Sequence, residues 1–167
     1  MTLSLRSASV TATRRLGERI GRLLRAGDVV LLSGELGTGK TVLAQGIGAG
    51  LGVTAPIKSS SFVIMNEYAG SDLTLYHADL YRLEDPEQVG ELALEEQASG
   101  GVLVVEWPER APDELPPEHL LVRLGYDWAR GRIIEIEGRG GRYEEIVLMS
   151  ASRRRRKEPS EKQRRSP

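Results

Sequence analysis

The chain has 167 residues, a length that suits one domain, and it contains no cysteine, which excludes disulfides, thiolate metal sites and a cysteine nucleophile. Hydrophobic residues make up 40% and charged residues 28% of the sequence, as in a globular enzyme or binding domain. The formal net charge of -1 divides into +6 between Arg153 and Arg165, where there are eight basic and two acidic residues, and -7 elsewhere. An acidic body argues against a duplex-reading surface, which needs clustered Lys and Arg.

The sequence carries no sign of export or membrane insertion. Its apolar runs are all shorter than the roughly 20 residues that span a bilayer, and the N-terminal segment Met1 to Arg6 lacks the apolar stretch of a secretory signal. We therefore expect a cytoplasmic protein without membrane contact. Two histidines, His77 and His119, are too few for a histidine-rich zinc site.

A helix followed by a buried strand is predicted near the N-terminus. Apolar residues recur at helical spacing from Val10 to Arg25, with Ser9 or Thr11 as the cap and Gly27 as the end. The unbroken apolar run Val29 to Leu32 is typical of a central strand covered on both faces. A second helix begins at Lys40 and ends near Gly50 and Gly52.

The remainder of the chain favours strands. An antiparallel pair is predicted around the turn at 69–72, from Phe62 to Glu67 and from Leu73 to Ala78. A short acidic helix from Glu87 to Glu96 precedes Val102 to Val105, a second buried parallel strand. Two final strands are expected around the turn at 129–131, from His119 to Tyr126 and from Arg132 to Glu137.

A glycine-rich loop links the first buried strand to the second helix. The segment Gly34 to Thr41, GELGTGKT, matches the P-loop pattern G-x-x-x-x-G-K-[ST] without a mismatch. In such loops the glycines let backbone N–H groups turn toward phosphate oxygens. Lys40 is expected to reach the β- and γ-phosphates, and the Thr41 hydroxyl to coordinate Mg²⁺. The sequence thus predicts binding of ATP with Mg²⁺.

The strand order and this loop predict an α/β fold. We expect a P-loop NTPase-like three-layer sandwich with a mostly parallel central sheet and antiparallel edge strands. The predicted ATPase domain covers residues 1–150. Residues 151–167 are rich in Arg, Ser and Pro without an apolar face, and they are predicted to form a basic disordered tail.

Hydrolysis also needs a carboxylate at the end of a neighbouring parallel strand. Glu106 follows Val102 to Val105 and is the first candidate, although it could instead be merely the first solvated residue after a strand. Asp79 is the second candidate, with the alternative that it caps the segment starting at Leu80. Trp107 is either a contact residue or an ordinary core aromatic.

Four separated stretches together resemble the TsaE family, small ATPases of bacterial tRNA threonylcarbamoyladenosine synthesis. They are Ser33 to Thr41, Lys58 to Phe62, His77 to Leu83 (HADLYRL) and Val104 to Glu109 (VEWP within it). The resemblance covers roughly residues 10–138, and the last two stretches are more specific than the P-loop.

The resemblance implies a function beyond nucleotide binding. Proteins of this family hydrolyse ATP slowly alone and act with two partners, the threonylcarbamoyl transferase subunit TsaD and its inactive homologue TsaB, which modify tRNA. ATP turnover there supports multiple rounds of modification. This chain is thus expected to contact tRNA through the complex.

The resemblance also assigns site residues. It implies that Thr41 and Glu106 ligate Mg²⁺, that Asp79 and Glu106 are catalytic, and that residues 10–13 approach the adenine. The residues expected to bind the nucleotide are Gly34, Leu36, Gly37, Thr38, Gly39, Lys40, Thr41 and Arg132.

One departure from the family concerns the loop after the P-loop helix. The family usually has Ser-Pro-Thr-Phe where this chain has Ser59 to Phe62, SSSF, so a hydroxyl survives at Ser61 but the rigid proline is lost.

Two other functions would use the same P-loop. A small-molecule or nucleoside kinase would also need an acceptor pocket and an Arg-rich lid, and residues 58–117 contain no cluster of arginines. A nucleotide-gated binding module would bind ATP with negligible turnover.

Overall fold

The computed structural model describes residues 1–59 and 64–155. The strands are β1 (Thr2–Ser7), β2 (Val29–Gly34), β3 (Met65–Ala69), β4 (Thr74–Asp79), β5 (Val102–Glu106), β6 (His119–Asp127) and β7 (Gly131–Arg139). The helices are α1 (Val10–Gly21), α2 (Lys40–Gly50), α3 (Glu87–Leu92), α4 (Leu94–Gln97) and α5 (Gly141–Arg155), with 3₁₀ turns at Pro108–Arg110 and Pro112–Glu114.

In the described residues these strands form one sheet in the order β1-β7-β6-β2-β5-β4-β3. The four central strands β6, β2, β5 and β4 are parallel, and the edge pairs β3–β4, β6–β7 and β1–β7 are antiparallel. Helices α1, α2 and α5 pack on one face, and α3 and α4 on the other. The predicted three-layer α/β sandwich with a parallel centre and antiparallel edges is confirmed.

The burial of the central strands explains their apolar sequences. Every residue of β5, and the first four of β2, is buried between the two helical layers. Side chains alternate between faces, so Val30 and Val104 join the core under α1 and α2, whereas Val29 and Val105 join the core under α3 and α4. Because β2, β4 and β5 are parallel, their carboxyl ends lie at the same edge of the sheet.

Four glycines bring the backbones of α1 and α2 into contact. A Cβ placed on Gly46 would lie 2.2 Å from the carbonyl oxygen of Arg14, and one on Gly21 would lie 2.3 Å from that of Ile47. Gly17 and Gly50 are similarly crowded by backbone atoms of the opposite helix. This glycine seam fixes the P-loop helix α2 against α1.

Several predicted boundaries were wrong. Helix α1 is capped by the Ser9 side chain, which accepts from the Ala12 N–H at 3.1 Å, but it ends at Gly21 because the amides of Leu23 and Leu24 bond three residues back. The helix predicted from Glu87 to Glu96 is two short helices, because Ala93 adopts a left-handed φ of 46°. Strand β3 begins at Met65, and the earlier part of its predicted range, 62–63, lies outside the described residues.

Two elements were not predicted. Strand β1 pairs antiparallel with β7 at the sheet edge. Helix α5 buries Tyr143, Ile146 and Val147, which follow helical spacing. The predicted boundary at residue 150 falls inside α5, whereas 156–167 of the predicted tail lie outside the described residues, so the division into domain and tail stays a prediction. No helix within 1–59 and 64–155 has the length and apolar character needed to cross a bilayer.

Candidate functional site

The P-loop runs from the end of β2 into the first turn of α2, beside a cavity of about 570 Å³. Gly39 precedes α2 with a φ of 107°, a conformation that side chains other than glycine rarely adopt. At Gly34 a Cβ would lie 2.4 Å from the Leu124 carbonyl oxygen, so the loop needs glycine there to lie this close to β6. Gly37, Gly39, Lys40 and Thr41 all line the cavity.

The outer side of the P-loop is held by two side chains from the β6–β7 hairpin. Tyr126 donates its hydroxyl hydrogen to the Leu36 carbonyl at 2.6 Å. Arg132 donates to the carbonyls of Thr38 at 3.1 Å and Gly37 at 3.2 Å, and its guanidinium lies 4.6 Å from the centre of the Tyr126 ring.

These contacts orient the loop. A trans peptide places its C=O and the N–H of the next residue on opposite sides. Because the carbonyls of Leu36 and Thr38 face the hairpin, the N–H groups of Gly37 and Gly39 point away from it. That is the orientation a phosphate-binding loop needs. Arg132 thus lies on the carbonyl side of the loop, and its predicted place near the nucleotide stays a prediction. Sequence reasoning missed Tyr126.

Lys40 is folded against its own loop. Its ammonium group donates to the carbonyl oxygens of Gly34 at 2.5 Å and Glu35 at 2.8 Å. Burial lowers the pKa of Lys40 from its usual value, and the negative charges of Glu106, Glu109 and Asp79 partly oppose this shift. A buried cation held mainly by carbonyl dipoles is well suited to receive an anionic ligand.

Thr41 and Glu106 are brought together at the floor of the cavity. The Thr41 hydroxyl lies 3.0 Å from Oε1 and 3.2 Å from Oε2 of Glu106. Glu106 is the last residue of β5 and is only 2% exposed, so it is not merely a solvated residue after the strand. A hydroxyl and a carboxylate oxygen are ligands that Mg²⁺ prefers.

Asp79 stands beside Glu106 on the neighbouring strand. The two residues are paired in register between β4 and β5. One oxygen of Asp79 accepts the backbone N–H of Tyr81 at 3.0 Å, and the other accepts from the Ser59 hydroxyl. Asp79 therefore makes the local backbone bond of a capping residue and also lines the cavity.

His77 contacts Glu106 and was not identified from the sequence as a site residue. Its Nε2 lies 2.9 Å from Oε1 of Glu106, and its residue is only 1% exposed. The sequence feature that could have identified it is the two-residue period of a strand. Leu75, His77 and Asp79 project from the same face of β4, so His77 lies on the face that carries Asp79. Leu75 belongs to the core under α2, which places His77 between that core and the site.

Trp107 covers the lysine. It follows β5 in a left-handed conformation, with φ 60° and ψ 49°, and its ring centre lies 4.0 Å from the Lys40 ammonium. The Tyr81 ring packs against the Trp107 ring, with the ring centroids 4.9 Å apart. Trp107 is thus partly exposed, packs against the core of α3 and α4, and also lines the cavity.

Parts of the predicted site are not described. Of the stretch Lys58 to Phe62, the structure describes Lys58 and Ser59, whereas 60–62 lie outside the described residues. Near the start of α1, Thr13 is buried, with its methyl group 3.7 Å from a Cβ placed on Gly39. Among the residues described, no group of three His, Asp or Glu side chains could hold a metal ion by itself.

Comparison with known proteins gives a consistent result. The family model described as threonylcarbamoyl adenosine biosynthesis protein TsaE matches residues 7–134. A protein from Nostoc named tRNA threonylcarbamoyladenosine biosynthesis protein TsaE is 44% identical, over 77% of this chain and 82% of its own length. A protein of the same name from Bacillus subtilis is 36% identical, over 85% and 89%.

A solved structure also matches. The crystal structure of YdiB from Bacillus subtilis superposes with a TM-score of 0.78 and 31% identity, covering 92% of this chain and 97% of that one. The family match, the sequence relatives and the shared fold agree with the site geometry: the chain belongs to the TsaE family.

Proposed function

We propose that this chain is a Mg²⁺-dependent ATP hydrolase that serves tRNA threonylcarbamoyladenosine biosynthesis as an accessory subunit required for multiple turnover. Its relatives carry the name of that pathway. The observation that carries the catalytic part is the convergence of Thr41 and Glu106, 3.0 Å apart, at the end of a parallel strand next to the P-loop.

Nucleotide binding is proposed for the P-loop. Gly37 and Gly39 offer backbone N–H groups, and the first turn of the 11-residue helix α2 adds the positive end of its dipole. Lys40 already lies in the loop and can exchange its two carbonyl partners for phosphate oxygens. Gly34, Leu36 and Thr38 complete the proposed binding loop.

The two side chains proposed to hold Mg²⁺ are Thr41 and Glu106. The hydrogen bond between them fits this role, because the Thr41 hydroxyl oxygen lies 3.0 and 3.2 Å from the two Glu106 carboxylate oxygens and both residues line the cavity. The metal, when bound, would supply positive charge to the phosphate oxygens. Glu106 thereby combines a metal-binding and a catalytic role.

Asp79 is proposed to orient the attacking water. Its carboxylate lies in register with Glu106 and lines the same cavity. In phosphoryl transfer a residue in this position fixes the nucleophile in line with the leaving group. The Ser59 contact supports Asp79 from the loop that follows α2.

A kinase function is not favoured. The chain's relatives are named for tRNA modification. Arg82 is the one arginine that the described residues contribute to the cavity wall, which does not make an Arg-rich lid. The partners proposed for this chain are a TsaD-like transferase subunit and its TsaB-like homologue, with tRNA contacted through that complex.

Phosphate release tests the proposal. We expect the protein with Mg²⁺ and ATP to release inorganic phosphate slowly without any acceptor, and faster when the two partner subunits are added. A strict acceptor requirement would instead indicate a kinase, and tight ATP binding without partner-stimulated hydrolysis would indicate a binding module.

Two variants locate the activity. Lys40→Ala should weaken nucleotide binding, whereas Glu106→Gln should retain binding and lower hydrolysis by about 10²- to 10⁴-fold, as for a catalytic carboxylate. Unchanged hydrolysis in Glu106→Gln would exclude the role assigned to this residue.

A further inference from the structure

His77 is not among the residues proposed to bind nucleotide or metal, yet it hydrogen-bonds to Glu106, which is. It reaches Glu106 diagonally: the register pairs His77 with Val104 and Asp79 with Glu106, so His77 lies two positions from the residue opposite Glu106. Long side chains bridge such diagonal pairs. The 2.9 Å contact between Nε2 and Oε1 therefore follows from the strand register.

The Glu106 carboxylate needs this partner because it is buried. Glu106 is 2% exposed and His77 is 1% exposed, so water satisfies neither group well. An ionised carboxylate only accepts hydrogen bonds, so a hydrogen bond between the two groups requires a His77 ring with a proton on Nε2. An isolated buried carboxylate would lose much of its solvation without compensation.

The hydrogen bonds also divide the two carboxylate oxygens. Oε1 lies 2.9 Å from Nε2 of His77 and 3.0 Å from the Thr41 hydroxyl, whose one hydrogen it shares with Oε2 at 3.2 Å; within the described residues Oε2 has no second partner. His77 approaches from the core side of β4 and Thr41 from the first turn of α2. The rotation of the carboxylate is thus set by Thr41, which lines the cavity, and by His77, which is not among the described residues that line it.

We propose that His77 is a positioning residue that orients the Glu106 carboxylate and so sets the affinity of the nucleotide complex for its divalent cation. The inference rests on the proposed function, because it needs Glu106 to be a metal ligand. Groups that hydrogen-bond to metal ligands typically change metal affinity or activity by about 10- to 100-fold when removed. His77 should affect metal affinity and leave metal-free nucleotide affinity unchanged.

The test is Mn²⁺ binding to the complex of the full chain with ADP, followed by electron paramagnetic resonance. Glutamine places its amide N–H near the position of Nε2, whereas asparagine is shorter and leucine has no donor. We expect His77→Gln to bind Mn²⁺ within about threefold of the wild type, and His77→Asn and His77→Leu to bind it about tenfold or more weakly. ADP affinity in EDTA should be the same for all of them.

A matched control uses the other histidine. His119 is 5% exposed and bonds through Nδ1 to the Pro116 carbonyl, away from the cavity. His119→Leu should leave Mn²⁺ affinity unchanged. An equal loss in His119→Leu would mean that removing any buried imidazole is sufficient, and would overturn the proposal.

Other outcomes also decide the question. Wild-type Mn²⁺ affinity in both His77→Asn and His77→Leu, or an equal loss in His77→Gln, would overturn the role of the donor. If the leucine variant does not fold, the Gln and Asn pair still decides, as does ¹⁵N NMR of the wild-type imidazole. That spectrum should show the proton on Nε2, and a proton on Nδ1 alone would contradict the proposal. If the wild type binds no ADP, the proposed function itself fails. If ADP binds normally but both His77→Asn and His77→Leu keep wild-type Mn²⁺ affinity, only the role of His77 is refuted.

Discussion

The Lys40 ammonium lies 4.0 Å from the centre of the Trp107 indole, between that ring and the carbonyl oxygens of Gly34 and Glu35. Two backbone features create this contact. Trp107 directly follows β5 at the edge of the cavity, and the left-handed φ of 60° at Trp107 turns its ring over the loop. The cation and ring attract each other electrostatically. Any ligand that attracts Lys40 changes the environment of the indole.

Trp107 fluorescence should therefore report nucleotide binding. The chain has two tryptophans, and Trp128 is fully exposed on the β6–β7 hairpin, so Trp128→Phe isolates the Trp107 signal. In that variant we expect ADP to change the emission intensity or maximum in a saturable way. Trp107→Phe is the control, and a comparable change there would place the reporter on Trp128 instead.

The Tyr126 hydroxyl should contribute to phosphate affinity without touching phosphate. Tyr126→Phe removes one hydrogen bond to the Leu36 carbonyl, and a neutral hydrogen bond contributes about 0.5 to 1.5 kcal/mol. Because that bond orients the loop, we expect ADP to bind about 2- to 10-fold more weakly by isothermal titration calorimetry. Unchanged affinity would show that the hairpin does not orient the loop.

The glycine seam should not tolerate a methyl group. In Gly46→Ala the new Cβ would meet the Arg14 carbonyl oxygen at 2.2 Å, and backbone atoms cannot rotate away. We expect a loss of about 1 to 3 kcal/mol in the free energy of unfolding by urea, despite the better helix propensity of alanine. Gly100→Ala, where no atom lies within 4 Å, should be nearly neutral. Equal effects of the two would disprove the role of the contact.

Acid should weaken the stabilisation that Glu137 provides through its ion pairs with Arg123 and Arg139 on the β6–β7 hairpin. Hydrogen bonds from Arg139 and then Arg123 lower the pKa of Glu137 below its usual value of 4.5. Its folded-state pKa is depressed, so its stabilisation is fully present above 4.5 and is lost as the pH falls through the lower value.

Because the side chains of Arg123 and Arg139 are 41% and 48% exposed, solvent screens these ion pairs, and Glu137→Gln should cost at most about 1 kcal/mol at pH 7. Urea denaturation at decreasing pH should show this difference shrinking below pH 4.5. A difference that stays constant to strong acid would mean that packing, not charge, is responsible.

The sequence predicted the elements around the P-loop because their signals are local. The apolar run of β2, the glycines and the helical spacing of α2 lie within about 20 consecutive residues. Glu106 could be found because a strand ends there. Tyr126 could not, since its role depends on a loop 90 residues away in the chain. His77 shares a strand face with Asp79, which the sequence shows, but its contact with Glu106 depends on the strand register.

The missed and misplaced elements also have physical causes. Strand β1 shows only Leu3 and Leu5 on its inner face, too short an alternation to separate from a loop. The arginines at the end of α5 masked the apolar stripe that precedes them. The helix breaks at Ala93 because this residue has a left-handed backbone conformation. Alanine rarely adopts that conformation, so the sequence gives no sign of the break.

Contact between main chains at the seam of α1 and α2 makes their spacing independent of the neighbouring side chains. Spacing set by side chains drifts whenever those side chains are exchanged, but spacing set by main-chain atoms persists as long as Gly17, Gly21, Gly46 and Gly50 remain. Exchanges among the surrounding apolar residues of this chain should therefore leave the separation of the N-terminal helix from the loop before Lys40 unchanged as long as these four glycines stay.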